Sequence, residues 1–381
     1  MSNTKRVIVA VTNDLVTDQR VHRTCLALHQ SGWQVTLVGR CLKGSLPVER
    51  PYTTRRMRLL FKRSALFYAE YNLRLFAKLL FARADLFYAN DTDTLLASYW
   101  AARLRRKALF FDAHELFPEV PELVDRPRVK AFWTRIEDRI LPRLPRLPKG
   151  AACATVCQSI ADIYHQRYGL HMAVVRNVPL SNVAVPNAQP RCTDGERILL
   201  YQGAVNKGRG IDTMILAMEN LHNCRMLVAG VGDEFLQMKA LAASKPWASR
   251  IEFLGRLEPD VLHSLTPTAD LGLSLLENLG LNYYYSLPNR IADFAQCGVP
   301  VLATDFPEIR KVVTQFRLGA LVPADATPKQ VAQAVQKCLA EWDDLTPQER
   351  AERRQVAQTN LTWDHDRTVL LSAVDSLFLD K

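Results

Sequence analysis

SLPNRIADFAQCGVPVLATDFPE (Ser286 to Glu308) is the stretch on which the reading of the fold turns. A polar start, Ser286-Leu287-Pro288-Asn289, leads into an amphipathic segment that Gly298 stops, and VPVLATD (Val299 to Asp305) follows as an apolar run of strand length. Ser and Asn are capping residue types, and Pro fits just before or inside a helix start. The spacing therefore predicts a helix from about Asn289 and a strand behind it. Such a helix start offers free backbone N–H groups and the positive end of the helix dipole, which suit a diphosphate. Asp293, one turn in, is placed to accept hydrogen bonds from sugar hydroxyls. Taken alone, the same residues also serve as an ordinary capped helix and strand.

Working outward, the same rhythm fills the second half. RILLYQG (Arg197 to Gly203), RMLVAGVG (Arg225 to Gly232), IEFLGRL (Ile251 to Leu257) and DLGLSLL (Asp270 to Leu276) read as strands, with helices over 210–220 and 235–243. The first half repeats it. VIVAVTND (Val7 to Asp14), a helix over 18–31 stopped by Gly32, and VTLVG (Val35 to Gly39) form a β–α–β unit. LFYAND (Leu86 to Asp91), ALFFDAHE (Ala108 to Glu115), ATVCQS (Ala154 to Ser159) and AVVRNVP (Ala173 to Pro179) continue it. The class is α/β with doubly wound parallel sheets. Between the halves, 181–196 is rich in Pro, Asn and small polar residues and reads as a linker. The expected domains are therefore 1–180 and 197–362, with a last helix in 363–381.

Bulk properties narrow the function. A 48% hydrophobic chain of 381 residues can bury two ordinary cores. The eight cysteines form no C-x-x-C and have no histidine at ligand spacing, which argues against a zinc or disulfide framework and fits a reducing cytosol. The start MSNTKRVIVAVTND is unlike a signal peptide, and no apolar run approaches the roughly 18 residues of a membrane span. The net charge of +10 suits nucleic acid, anionic lipid or a phosphorylated substrate. Much of it gathers between Arg50 and Arg83, interleaved with Leu, Phe and Tyr, which reads as a basic amphipathic helix for an anionic membrane surface or as a core helix with a solvated face. No nucleic-acid-binding signature accompanies it.

ADLGLSLLENLGLNYYYSLPNRIADFAQCGVPVLATDFPEIRKVV (Ala269 to Val313) resembles the nucleotide-sugar segment of the retaining family 4 glycosyltransferases. The resemblance implies a GT-B fold: two Rossmann-like domains facing across a cleft, with the last helix crossing back to the first domain. It implies that Glu277 and Asp293 are the family's two acids, the first toward the donor sugar or phosphate loop and the second on the ribose. The family usually has Glu at the second position, and the spacing between the two acids is wider here. YQGAVNKGRGIDTMILAM (Tyr201 to Met218) is similar to the family's first strand–loop–helix of the donor domain, which assigns Gly203 and Gly210 to the diphosphate, with Arg209 and Lys207 as its cations. The family often has Arg where this chain has Gln202. LVAGVGDE (Leu227 to Glu234), with Gly232, and IEFLGRL, with the base contact near Leu254, complete the donor side.

In the first half, FFDAHELFPE (Phe110 to Glu119) resembles the loop that places a histidine, here His114, against the donor sugar. NDLVTDQRVHR (Asn13 to Arg23) resembles the acceptor-side loop and helix; Asp18 and Arg20 line the cleft on that reading, or cap and solubilise the helix on a plainer one. NDTD (Asn90 to Asp93) contains D-x-D, which binds divalent ions in transferases of another fold. Here Asp91 reads as acceptor-side and the motif as a strand-end loop and N-cap, with no metal required and no cofactor beyond the sugar nucleotide itself. The implied activity is transfer of a hexose-type sugar from a nucleoside diphosphate sugar to a glycan or lipid-linked acceptor, in cell-surface polysaccharide or glycolipid synthesis, by a cytoplasmic protein peripheral to the inner face of the cell membrane. A sugar-nucleotide epimerase of the same fold and a non-catalytic membrane-associated partner subunit are the rival classes.

Overall fold

Strands buried on both faces read as continuous apolar runs, because parallel sheets are covered by helices above and below. Val7 to Ala10, Leu86 to Asn90 and Ala108 to Ala113 are buried at every position. The computed structural model describes residues 4–16, 18–180 and 195–379. The chain divides into a first unit, Met1–Asn177 with His365–Lys381, and a second, Val178–Asp364. Of the expected linker 181–196, residues 181–194 lie outside the described residues.

In the first unit, β1 (Arg6–Ala10), α1 (Gln19–Gln30), β2 (Gln34–Cys41), β3 (Thr53–Arg58), α2 (Ser64–Phe81), β4 (Leu86–Asn90), α3 (Asp91–Arg105), β5 (Ala108–Ala113), α4 (Pro127–Ile140), β6 (Ala151–Thr155), α5 (Gln158–Tyr168) and β7 (Met172–Val174) follow in order. The strands form one sheet, β3-β2-β1-β4-β5-β6-β7, and every adjacent pair is parallel. The order reverses between β1 and β4. In such sheets ligands sit outside the carboxyl ends of the strands at the reversal.

The basic stretch differs from the single basic helix expected over 50–83. Arg55, Arg56 and Arg58 lie on β3, an edge strand pairing only with β2, while α2 carries just Arg74 and Lys78 against Glu70. Alternating charge on an edge strand guards its open hydrogen-bonding side. The helix itself is held by Phe67, Tyr71, Leu75 and Leu79, four apart and all buried, each contributing about 1.5–3 kcal/mol. The Tyr71 hydroxyl donates to the Val11 carbonyl at 2.6 Å.

The second unit contains β8 (Arg197–Gln202), α6 (Ile211–Ala217), β9 (Cys224–Ala229), α7 (Phe235–Ala243), β10 (Ile251–Gly255), α8 (Pro259–Leu265), β11 (Leu271–Ser274), α9 (Leu281–Tyr284), α10 (Asn289–Cys297), β12 (Val301–Thr304), α11 (Pro307–Phe316), β13 (Gly319–Val322), α12 (Pro328–Asp343) and α13 (Pro347–Asn360). Its sheet runs β10-β9-β8-β11-β12-β13, all parallel, with the reversal between β8 and β11. Alternation along β8 feeds both faces: Ile198 and Leu200 join one apolar cluster, Leu199 and Tyr201 the other. The last helix, α14 (Trp363–Asp375), brings Asp366 to Arg176, whose Nη2 lies 2.7 Å from the buried carboxylate, and Phe378 beyond it packs edge-on to Trp33 at 5.3 Å.

Candidate functional site

Both sheet reversals carry a cluster of polar side chains. In the first unit, β1 and β4 end side by side, tied by Asn90 Nδ2 donating to the Ala10 carbonyl at 2.8 Å. Asp91 follows with φ of 56°, an uncommon conformation for a residue with a side chain. That turn aims its carboxylate at the loop after β5: Oδ1 accepts from the His114 backbone N–H at 2.7 Å, and Oδ2 lies 3.4 Å from His114 Nδ1. On the other side of the ring, Nε2 is 3.3 Å from Asp112 Oδ2. Asp112 in turn accepts from Arg20 Nη2 at 2.9 Å and from the Tyr88 hydroxyl at 2.7 Å, and Arg20 Nη1 donates to the Val175 carbonyl at 2.9 Å. Arg20 and Asp112 are 5% and 0% exposed, whereas the His114 and Asp91 side chains keep 17% and 18% of their surface open.

The charges follow from this packing. Burial works against an imidazolium at His114, but the Asp91 and Asp112 carboxylates outweigh it and raise the pKa above 6.5. Burial likewise opposes ionised Asp112, and Arg20 with His114 overcomes it, holding this carboxyl below its usual range. Asp93 differs: burial, with the negative Asp91 beside it, pushes it up to about 8, although the Thr12 hydroxyl donates to it at 2.6 Å. The two acids of the D-x-D thus face different partners, Asp91 toward His114 and Asp93 toward Thr12. Among the described residues, no group of three or more His, Cys, Asp or Glu is gathered to hold a metal ion.

Asp18 and Arg20 take different places in the first unit. Asp18 is the N-cap of α1, accepting from Val21 N–H at 2.9 Å and from Asn13 Nδ2, so its oxygens are used in building the loop. Arg20 does not solubilise the helix: it is buried, and it braces Asp112. Within NDTD the N-cap of α3 is Asn90, and Asp91 turns its carboxylate to His114. The pairing of Arg20 with Asp112, 92 residues apart, has no local sequence signal.

In the second unit, the loop after β8 bends through Gly203, Gly208 and Gly210 at φ of 126°, 77° and 64°. At Gly210 a Cβ would lie 2.6 Å from Leu275 Cβ, so only glycine lets this loop sit against the end of β11. The Glu277 backbone N–H donates to the Gly208 carbonyl at 3.0 Å, and the Tyr283 hydroxyl to that of Lys207 at 3.4 Å. The Arg209 guanidinium lies 4.8 Å over the Tyr283 ring. Lys207, Arg209, Gly210 and Glu277 are thereby brought together. Burial first, then Asp212 and Glu234, raise the Glu277 pKa. Gly232 closes on the same loop, where a Cβ would meet Asn206 Oδ1 at 2.3 Å.

α10 starts at Asn289, but its cap is Pro288, with no side-chain hydrogen bond. Ser286 does not cap the helix: its hydroxyl donates back to the Tyr283 carbonyl at 2.9 Å. The first-turn N–H groups are therefore not occupied by a capping side chain, which is the condition for anion binding at a helix start. Asp293 accepts from Gln202 Nε2 at 3.3 Å, and Gln202 Oε1 accepts from Thr266 at 2.9 Å. Leu254 and Leu287 both pack against the apolar core under α10.

Arg290 is the residue that the sequence reading missed. It is 7% exposed, stacks its guanidinium 4.4 Å over the Tyr201 ring, and lies against Gly203, where a Cβ would be 3.3 Å from Nη2. Its Nη1 has no hydrogen-bond partner among the described residues. Where the resembled family often has an arginine at the end of the first strand and this chain has Gln202, Arg290 supplies a guanidinium from the facing helix. A basic residue two positions past a helix-starting Pro was the available signal.

Two family descriptions match the chain: Glycosyltransferase Family 4 over residues 18–179 and Glycosyl transferases group 1 over 187–358. The chain belongs to the family 4 glycosyltransferases. An uncharacterized glycosyltransferase of Methanocaldococcus jannaschii, MJ1607, is 23% identical over 154 residues, 39% of this chain and 37% of that one. Among solved structures, sucrose-phosphate synthase from Thermosynechococcus elongatus superimposes with a TM-score of 0.77 at 18% identity, covering 98% of this chain and 99% of that one. Anabaena Alr3699/HepE, solved in complex with UDP-glucose, gives 0.70 at 12% identity over 97% and 99%. The fold of this family 4 glycosyltransferase is accordingly GT-B, with two Rossmann-like α/β units.

Proposed function

We propose that this chain transfers a hexose-type sugar from a nucleoside diphosphate sugar to a glycan or lipid-linked acceptor with retention of configuration, in cell-surface polysaccharide or glycolipid synthesis. The observation that carries the reading is the convergence at the β8–β11 reversal. A glycine loop bearing Lys207 and Arg209, the uncapped start of α10, and a buried Arg290 with an unpartnered Nη1 all gather there. Together these stabilise a departing diphosphate through preorganised donors, which is why the reading calls for no metal. Asp293 and the backbone near Leu254 take the ribose and base. We assign His114, which lies between the Asp91 and Asp112 carboxylates, to the transferred sugar. The neighbour crystallised with UDP-glucose supports a sugar nucleotide of this type as donor.

A thermal-shift screen against UDP-, GDP- and ADP-sugars tests the donor half. A ligand at about a hundred times its dissociation constant adds about 2.7 kcal/mol to the unit it binds. Stabilisation by none of them refutes the proposal, and the anomeric form of the product, read by NMR, tests retention. Among the described residues no helix is long and apolar enough to cross a membrane. We place the protein in the cytoplasm, peripheral to the inner face of the cell membrane. Arg55, Arg56 and Arg58 on β3, with exposed Leu60 and Phe61 beyond it, offer the contact. Co-sedimentation with anionic vesicles that survives neutralising those three arginines would remove this assignment.

A further inference from the structure

An apolar concavity of the first unit is used by none of the chemistry above. It is a groove of about 970 Å³ walled by α2, α3, α4 and the turns between β5 and α4. That is the upper end of the size of pockets for small molecules, roughly 300–1,000 Å³. Its floor is a nest of rings: Tyr68 and Phe117 pack edge-on against Trp133 at 4.9 and 5.0 Å, and Phe132 lies 5.3 Å away. Its walls leave large apolar side chains in water, Leu73 at 70% exposure, Phe132 at 52% and Trp100 at 45%. Leaving that much apolar surface open and contiguous marks a binding site.

Two observations identify what belongs there. The groove is continuous with the candidate site. Glu115, the residue after His114, lines one end, and Asn72 in its wall donates to the carbonyl of Asp93 at 2.8 Å, in the first turn of α3 that also carries Asp91. Its charged lining residues are Arg126, Glu115 and Glu122, and exposed Arg63 and Arg128 adjoin the lining residues Ser64 and Val129. An apolar trough with arginines at its mouth, one end beside His114, is complementary to one hydrocarbon chain bearing a phosphate, with the chain lying along the rings and the phosphate at Arg126 and its neighbours. We propose that the acceptor is lipid-linked through a phosphate and that its hydrocarbon chain occupies this groove. This rests on the glycosyltransferase reading and narrows its acceptor.

The test uses the full chain and dodecyl phosphate below its micelle concentration, followed by the fluorescence of Trp100 and Trp133. The expected result is a saturable shift with dodecyl phosphate, none with inorganic phosphate, and binding weakened about ten-fold or more by Leu73→Glu with Phe132→Glu. Both positions are exposed on helices, and the paired alanine variants repeat the measurement should the glutamates perturb folding. No response to dodecyl phosphate, unchanged affinity in the variants, or binding to phosphatidylglycerol vesicles without binding of the free chain overturns the groove assignment. Equal affinity for neutral dodecyl maltoside overturns the phosphate. Sugar-nucleotide thermal shifts on the same samples separate the two readings: donor binding retained while the lipid fails sinks the groove alone, and donor binding absent sinks the reading beneath it.

Discussion

Replacing Asp112 by Asn tests whether the cluster around His114 is held by charge. The substitution keeps the shape of the side chain and, with the amide oxygen at Oδ2, an acceptor for the Tyr88 hydroxyl; it removes the negative charge facing Arg20 and His114 and puts an NH2 donor where Oδ1 accepted from Arg20. Two unit charges at 2.9 Å interact by about 6 kcal/mol at an effective dielectric constant of about 20. Both side chains are almost fully buried, so solvent screening removes little. Losing one partner of such a pair typically costs about 3–5 kcal/mol, because the other charge stays behind in the interior. Arg20 would retain only the Val175 carbonyl. Because the chain has two units, a single global unfolding free energy is ill-defined; hydrogen exchange of amides in β4 and β5 reads the local one. The expected fall in opening free energy is about 3–5 kcal/mol, with a much smaller fall in the Arg20→Met, Asp112→Asn double variant, where no charge is stranded. A loss below about 1 kcal/mol in the single variant, or an equal loss in the double, refutes the argument.

Asp93 gives the cluster a pH dependence of definite sign. Its folded pKa of about 8 exceeds the ordinary 3.8, so the folded state keeps a proton that the unfolded chain releases, and this contribution to stability is lost as pH rises from about 4 to about 8. Asp93→Asn should flatten that slope in denaturant midpoints, and parallel curves for the two proteins would contradict it. Arg290→Leu keeps the apolar packing on Tyr201 and removes a buried cation, so the melting temperature should stay level or rise while the donor KM increases about ten-fold or more; unchanged donor affinity would discard Arg290 as a ligand group. Thr327→Ala removes the box in which Thr327 Oγ1 accepts from Gln330 N–H and Gln330 Oε1 from Thr327 N–H. The first turn of α12 should lose about 1 kcal/mol, visible as faster exchange there and nowhere in the first unit.

What could be read from sequence follows the range of the interactions. The start of α10 at Asn289, the stop at Gly298 and the strands of both sheets other than β3 and β13 are set by local patterns and were legible. β3 was not, because TTRRMR has one buried apolar residue and takes its strand geometry from pairing with β2. α4 escaped for a related reason: it buries Trp133, Glu137 and Ile140, and a glutamate on the inner face obscures the pattern. That glutamate accepts from the Thr92 hydroxyl at 2.6 Å, a partner 45 residues away. At the site, Lys207, Arg209, Gly210 and Glu277, which the resemblance assigned to the donor, lie together around one glycine loop. The brace of His114 by Arg20 through Asp112 was hidden, because nothing near Arg20 in sequence distinguishes a buried arginine from a solvated one.

The two buried arginines separate scaffold from ligand contact by what they touch. Arg20 spends both Nη groups on protein acceptors, one a carboxylate that shares its burial, and so fixes a neighbour in place. Arg290 sits at the equivalent reversal of the other sheet with a ring beneath it and an Nη1 that meets no acceptor among the described residues. A buried cation in that state costs stability unless something anionic completes it. The expected arginine at the end of β8 is Gln202, and its amide is already committed to Asp293 and Thr266. In this chain the guanidinium at the reversal comes from the helix, and the strand position holds the helix's acid. Exchanging the two, Gln202→Arg with Arg290→Gln, should keep donor binding closer to the parent than either change alone. If the two single variants simply add, the guanidinium beside Gly203 is not what the diphosphate needs.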